Sequence, residues 1–344
     1  MAEKQKVNLR MIAWELTRRC NLACSHCRAS SKYGPYANEL TTDECFKLID
    51  EIVSFSNPVI ILTGGEPLLR EDIFEIAEYG KKKGLRMVMA PNGTLLTDEN
   101  VEKIIQAGIK RISVSLDGPD AATHDNLRQV TGAFNQACEG IARAGKAGLE
   151  FQINSTITKR NIKLLPQIMD LAKKLGAKAH HIFLLVPTGR AKDMVGEELS
   201  AAEYEETLKV LAKEKNKSAI EIKITCAPHL NRILAQEHLE PAATLTGRGC
   251  MAGVSFCFIS HTGNLQPCGY LDIKCGNIRE QEFKKSWLES EVFNNLRDFS
   301  KYKGKCGICE FRMVCAGCRA RAYAVSKDYL AQEPYCVYKP QAKK

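Results

Sequence analysis

Glu15-Leu-Thr-Arg-Arg-Cys20-Asn-Leu-Ala-Cys24-Ser-His-Cys27 decides how this chain is read. Three cysteines fall within eight residues, just after a strand-like apolar run over residues 9–15. Thiolates bind iron–sulfur clusters, normally four to a cluster. Three thiolates on one loop hold three irons and leave the fourth open, and an open position is what a catalytic metal needs. The plain alternative is a zinc knuckle with a distant fourth ligand.

Working outward, the whole chain is uneven in cysteine. Of 15 in 344 residues, three lie in 20–27 and nine in 250–336. Disulfide scaffolds are small and secreted. Here residues 1–9 are charged and lack the apolar stretch of a secretory signal, and no apolar run approaches the ~18 residues of a membrane span. The expected setting is therefore the cytoplasm, with clustered thiols reduced and binding metal. Hydrophobic content of 44% and charged content of 26% fit a globular protein. The net charge of +9 suits an anionic ligand. No basic block is longer than Lys81–Lys83 and no nucleic-acid motif is present, so neither nucleic acid nor membrane is expected as a partner.

From residue 9 to 225, strand-like runs (9–15, 58–62, 85–90, 111–116, 151–157, 181–186, 220–225) alternate with helix-like stretches (42–53, 72–83, 99–107, 133–147, 161–175, 201–211). Thr41–Thr42 and Thr97 read as helix starts. Repeated βαβ units without a G-x-G-x-x-G after the first strand predict an α/β fold. Its architecture is a partial (β/α)6 barrel with the chemistry at the C-terminal ends of the strands. After residue 225 the pattern changes to a hairpin (254–260 and 264–267), one helix-like stretch (284–298) and cysteine-spaced loops, ending in a frayed tail at 341–344. The expected domains are 1–225 and 226–344, the second with little core of its own and held by metal. Cys45 and Cys138 read as core residues.

Short polar segments follow the strands. In Thr63-Gly64-Gly65-Glu66-Pro67 the glycines let the backbone approach a ligand and the glutamate accepts bonds from an ammonium; the plain alternative is a tight turn. Asn92 and Gly93 follow the third strand, and Ser115, Asp117 and Gly118 the fourth, with Arg128 beyond.

The 15–27 stretch resembles the opening motif of the radical SAM superfamily, and the later segments fall in that family's order over residues 10–215. The resemblance implies that Cys20, Cys24 and Cys27 are the catalytic cluster ligands, with S-adenosylmethionine (SAM) chelated at the open iron. It further implies that Gly64, Gly65, Glu66 and Pro67 meet the methionine amino group. Asn92 stands in the family's T-N-G position. Ser115, Asp117 and Arg128 would serve the ribose or carboxylate, and Asn154 and Leu185 the ribose and adenine.

Downstream, Cys250-x12-Gly263-x4-Cys268, Cys306-x2-Cys309-x5-Cys315-x2-Cys318 and Cys336 resemble the SPASM extension. The family's last short spacing is usually x3, so x2 is a departure. The resemblance implies two auxiliary 4Fe–4S clusters. One is held by Cys306, Cys309, Cys315 and Cys336, the other by Cys250, Cys268, Cys318 and a fourth cysteine. Cys257 is weighed first for that place because it lies between two assigned ligands; Cys226 and Cys275 are the others.

Residues 61–94, 180–194, 224–230, 268–280 and 315–338 together resemble the AdoMet-dependent heme synthases. In that family Fe-coproporphyrin III is the substrate, two propionates become vinyl groups with loss of CO2, and two SAM are consumed. The resemblance implies a low-potential electron donor and an auxiliary cluster as electron acceptor; a monomer is the default expectation. A didecarboxysiroheme deacetylase or a peptide-modifying maturase is the other reading within the superfamily. Arg190, Arg319 and Arg321 are candidate forks for substrate carboxylates. His180, His181 and His229 are candidates near a porphyrin iron, with structural roles as the alternative.

Overall fold

The computed structural model describes residues 8–194, 196–245 and 249–341. Residues 1–7 and 342–344, which carry most of the N-terminal reading and the tail, lie outside the described residues. Seven parallel strands follow the chain: β1 (Met11–Thr17), β2 (Val59–Gly64), β3 (Arg86–Met89), β4 (Arg111–Ser115), β5 (Glu150–Ile157), β6 (Ala179–Leu184) and β7 (Glu221–Thr225). Helices α1 (Thr42–Val53), α2 (Ile73–Lys82), α3 (Asp98–Gln106), α4 (Ala121–Arg128), α5 (Ala133–Lys146), α6 (Leu165–Lys174) and α7 (Ala201–Lys215) lie between them. This is the expected α/β partial barrel, with a seventh strand on its far edge.

Strand alternation gives the sheet two faces. Ile12, Trp14, Ile60, Leu62, Ile112 and Val114 are fully buried and pack on Ile49, Ile76 and Ile104 of the helices. Each such side chain contributes roughly 1.5–3 kcal/mol. The alternate residues, among them Ser113, Ser115, Gln152, Asn154 and His181, are only half-buried and line the concave face. α1 starts on a reciprocal cap: Thr41 Oγ1 accepts from Glu44 N, and Glu44 Oε2 accepts from Thr41 N at 2.8 Å.

The extension does not form a separate layer. Strand β8 (Phe256–Ile259) lies parallel to β1 on the edge opposite β2, followed by antiparallel β9 (Asn264–Gln266) and β10 (Gly276–Asn277). Among the described residues one ten-stranded sheet results, ordered β10-β9-β8-β1-β2-β3-β4-β5-β6-β7. The helix expected over 284–298 is broken at Ser290 (φ −55°, ψ 127°) into Phe283–Glu289 and Glu291–Arg297. Phe283, Trp287 and Phe293 from this pair are fully buried in the barrel's own core. The thin core expected for the extension is thus confined to residues 299–341, where Tyr302, Ala316 and Leu330 form a small separate cluster. Five helices were not expected: α4, α8 (His229–Gln236) directly after β7, and Ala242–Leu245, Gly304–Ile308 and Arg319–Ser326. Among the described residues, no helix is long and apolar enough to cross a membrane.

Candidate active site

The Cys20–Cys27 loop leaves the C-terminal end of β1 and is tied down on every side. Cys20 N donates to Lys32 O (2.8 Å), and Ser25 N to Leu127 O at the end of α4 (2.9 Å). Arg190 does most of the clamping. Its backbone N donates to Cys27 O (3.0 Å), its Nε to Cys24 O (2.7 Å) and Nη1 to Ser31 O (2.7 Å). A Cβ at Gly189 (φ +57°) would sit 2.3 Å from Cys27 O, so only glycine allows this approach. Cys20 and Cys24 are 8% and 7% exposed. Burial pushes the Cys20 thiol up to about 12, so in the protein alone it carries its proton. A metal that binds thiolate releases that proton.

Arg128 Nη1 donates to Cys24 Sγ (3.6 Å), and its Nη2 pairs with Asp117 Oδ2 (2.7 Å). Asp117, at the end of β4, is fully buried and accepts from Thr156 N (2.8 Å). Burial alone would raise its pKa; Arg128 and then His26 hold it below the ordinary range. The structure thus places Asp117 and Arg128 behind the cysteine loop, where they brace Cys24.

The Gly64–Pro67 segment also meets the loop. A Cβ at Gly64 would lie 2.4 Å from Thr17 O, and one at Gly65 2.3 Å from Arg19 O. The glycines are required by close approach to the backbone at the end of β1 and in the cysteine loop. Glu66, fully buried, accepts from Asn92 N (2.6 Å) and Leu68 N (3.1 Å). Burial raises it to about 7 despite these bonds, which leaves it responsive to a nearby cation. Asn92 Nδ2 donates to Asn21 Oδ1 (2.8 Å), joining the β3 turn to the same loop. Ser115 and Asn154 are register partners on the concave face, and Leu185 packs with Leu127, Ala191 and Met194 at the end of β6.

No motif in the sequence marks the seam between this loop and the extension. Glu15 on β1, fully buried, pairs with Arg28 (3.0 Å), Arg18 (3.3 Å) and His261 (2.8 Å). Burial would raise its pKa, but Arg28, His261 and Arg18 hold it at about 2. Arg28 also stacks over the Phe258 ring of β8, 4.4 Å from its centroid.

The extension's thiols gather in two groups. Cys306, Cys309, Cys315 and Cys336 line one half-open cavity, together with His229 and Arg232 of α8. Both ring nitrogens of His229 are buried without a hydrogen-bond partner. Cys268 and Cys318 share an apolar cluster with Cys226, and Cys250 lies within electrostatic reach of Cys318 and Cys268. Cys257 is elsewhere: fully buried in the barrel core, beside Cys275 and Arg297. The expectation that Cys257 joins the Cys250 group therefore meets a physical obstacle. Cys257 is the register partner of Ile12, and Ile12 faces the helices. No group of three His, Cys, Asp or Glu side chains among the described residues converges on one ion-sized point. Cys306, Cys309, Cys315 and Cys336 line a cavity instead, a donor set that suits a polynuclear iron–sulfur group.

Comparison with known proteins agrees with this geometry. The Radical SAM superfamily pattern matches residues 14–172, and the SPASM iron–sulfur cluster-binding domain matches residues 250–318. The chain is 52% identical over 343 residues to the AdoMet-dependent heme synthase of Methanosarcina barkeri, spanning 97% of this chain and 98% of that one. It is 49% identical over 341 residues to the heme synthase of Nitratidesulfovibrio vulgaris, spanning 96% and 93%. The chain belongs to the AdoMet-dependent heme synthase family. It is a radical SAM enzyme with iron–sulfur and SAM sites. Streptococcus suis SuiB bound to SAM shares the fold at a TM-score of 0.77 and 15% identity, over 96% of this chain and 78% of that one.

For a heme synthase, the fate of the candidate substrate arginines matters. Arg190 is committed to the cysteine loop as described. Arg319 and Arg321 are fully buried rather than open to a carboxylate. Arg319 donates to Ala331 O (2.7 Å), Tyr329 O (3.2 Å) and Cys306 Sγ (3.5 Å). Arg321 donates to Leu185 O and Cys226 O (both 3.1 Å) and pairs with Glu333 (3.5 Å). His180 is fully buried against Ser155 Oγ (2.9 Å), while His181 reaches the concave face. Tyr270, half-buried, lies within electrostatic reach of Cys226, Arg28, Cys268 and Cys27.

Proposed function

We propose that this enzyme converts Fe-coproporphyrin III to heme b by oxidative decarboxylation of two propionates to vinyl groups. The observation that carries the reading is likeness to heme synthases at about half identity over nearly the whole chain. Cys20, Cys24 and Cys27 hold the SAM-binding 4Fe–4S cluster, and the extension's two thiol groups hold two auxiliary ones. When bound, the first supplies reductive cleavage of SAM to methionine and a hydrogen-abstracting 5′-deoxyadenosyl radical. Arg128 and Arg190 fix the loop that presents the three thiolates. Glu66 stands ready to take the SAM ammonium, with Gly64, Gly65 and Pro67 shaping its turn. Ser115, Asn154 and Leu185 line the ribose and adenine side.

Each propionate loses one hydrogen atom from its β-carbon, then CO2 and one electron, leaving a vinyl group. The extension's thiols would hold the group that takes this electron, and a low-potential donor would supply the one that cleaves SAM. The enzyme acts as a cytoplasmic monomer, with a barrel domain to residue 225 and an extension from 226. The test is anaerobic turnover of reconstituted protein with SAM, reductant and Fe-coproporphyrin III, read by mass spectrometry. Two successive losses of CO2 plus two hydrogens, with 5′-deoxyadenosine formed, are expected. 5′-Deoxyadenosine formed over an untouched porphyrin would refute the substrate and keep the radical chemistry.

A further inference from the structure

Taking the extension as cluster-binding, the Cys250–Cys268–Cys318 group is short of one thiolate. We infer that Cys226, at the end of the last barrel strand, is the fourth ligand of that auxiliary cluster.

Position comes first. Cys226 follows Thr225, the last residue of β7, and lies upstream of the matched SPASM segment 250–318. It shares an apolar cluster with Cys318 and Cys268. Its thiol lies within interaction range of those of Cys318 and Cys268, and all three cysteines are free.

Backbone strain points the same way. Cys226 has φ +62°, a left-handed conformation that a non-glycine residue adopts only at a cost. Such a conformation persists only where its surroundings enforce it. Here Cys226 O accepts from Tyr204 Oη (2.9 Å) and from Arg321 Nη1 (3.1 Å), both side chains almost wholly buried. Arg321 pairs in turn with Glu333 Oε1, while Glu333 Oε2 accepts Cys318 N (2.7 Å). One buried Arg–Glu pair thus holds the peptide groups of both cysteines. A buried ion pair is a costly way to brace a turn and makes sense where geometry must be held.

The competing cysteines point elsewhere. Cys257 faces the helix layer through its register with Ile12, and Cys275 lies beside it in the same core. A one-residue shift of β8 would be needed to turn Cys257 to the other face. With Cys226 as ligand, this cluster ties the last barrel strand to the extension.

The test compares Cys226→Ala with Cys257→Ala in the whole chain, reconstituted anaerobically. Iron per chain and the EPR spectrum of the reduced auxiliary clusters are read. Wild type should hold about 12 iron, three four-iron clusters. Cys226→Ala should hold about 8, or keep the cluster with an altered EPR signal. Cys226→Ser should keep it with a shifted signal, because oxygen replaces sulfur. Cys257→Ala should match wild type in both. Continued 5′-deoxyadenosine formation in Cys226→Ala shows that the barrel is intact. Full iron with an unchanged spectrum in Cys226→Ala, loss of a cluster in Cys257→Ala, or a Cys226–Cys318 disulfide in peptide mapping of the loaded protein would each overturn the assignment. A wild type holding only the barrel cluster would sink the cluster reading, and the assignment with it.

Discussion

The barrel and residues 299–341 are held by different means. The barrel buries aliphatic side chains between strands and helices, from Ile12 and Trp14 to Ile104 and Val114. Residues 299–341 bury a handful of apolar groups and, among them, three ionised side chains, Arg319, Arg321 and Glu333. Four thiols line a cavity there. An apolar core stands on its own, whereas buried charge and clustered thiols are stable only when every partner is present. The barrel therefore provides a ready scaffold, and the end of the chain is completed by what it binds.

The largest effect falls where the scaffold meets the chemistry. Cys24→Ala should lower 5′-deoxyadenosine formation at least about a thousandfold, as when one member of a catalytic unit is removed. Circular dichroism should show the barrel unchanged. Metal removal comes next. Structural metals contribute on the order of 10 kcal/mol to the segments they organise. Chelation should abolish hydrogen-exchange protection over 299–341 and leave β1–β6 protected; uniform loss across both regions would break the comparison.

Single residues sharpen it further. Arg321→Met leaves Glu333 buried and unpaired, and should cost about 3–5 kcal/mol in urea unfolding of the loaded protein. Ile49→Ala, a cavity in the barrel core, should cost about 2–5 kcal/mol with or without metal. A metal-independent Arg321→Met effect would show that its site is no more metal-dependent than the core. The seam gives an effect that depends on pH. The folded value of Glu15, about 2, lies below the unfolded 4.5. Its contribution is fully present above about pH 4.5 and vanishes as pH falls through 2, amounting to about 3 kcal/mol. Glu15→Gln should be less stable than wild type at pH 7 and converge with it near pH 2.

What the sequence revealed follows the same division. Strand and helix periods from 9 to 225 are set by burial on one face, so they are visible in the apolar pattern. α4 was missed because Ala-Ala-Thr-His-Asp-Asn-Leu-Arg has little apolar period; Asp120 starts it by accepting from Thr123 N (2.8 Å). The three loop cysteines were legible because their spacing is local. Cys226 and Cys257 were not, since which of them faces Cys318 depends on the register of β8 on β1, a long-range pairing. The arginines misled for a similar reason: a sequence shows charge but not whether backbone carbonyls already claim it, as they do for Arg190 and Arg319.

On the proposed function the two regions divide the labour: the barrel cleaves SAM, and the extension takes the electron that completes decarboxylation. Cys315→Ala separates the two, with 5′-deoxyadenosine and porphyrin products measured in the same anaerobic reaction. Continued 5′-deoxyadenosine formation with vinyl product largely lost is expected. Decarboxylation at the wild-type rate, with that auxiliary cluster shown to be absent by iron content and EPR, would contradict it.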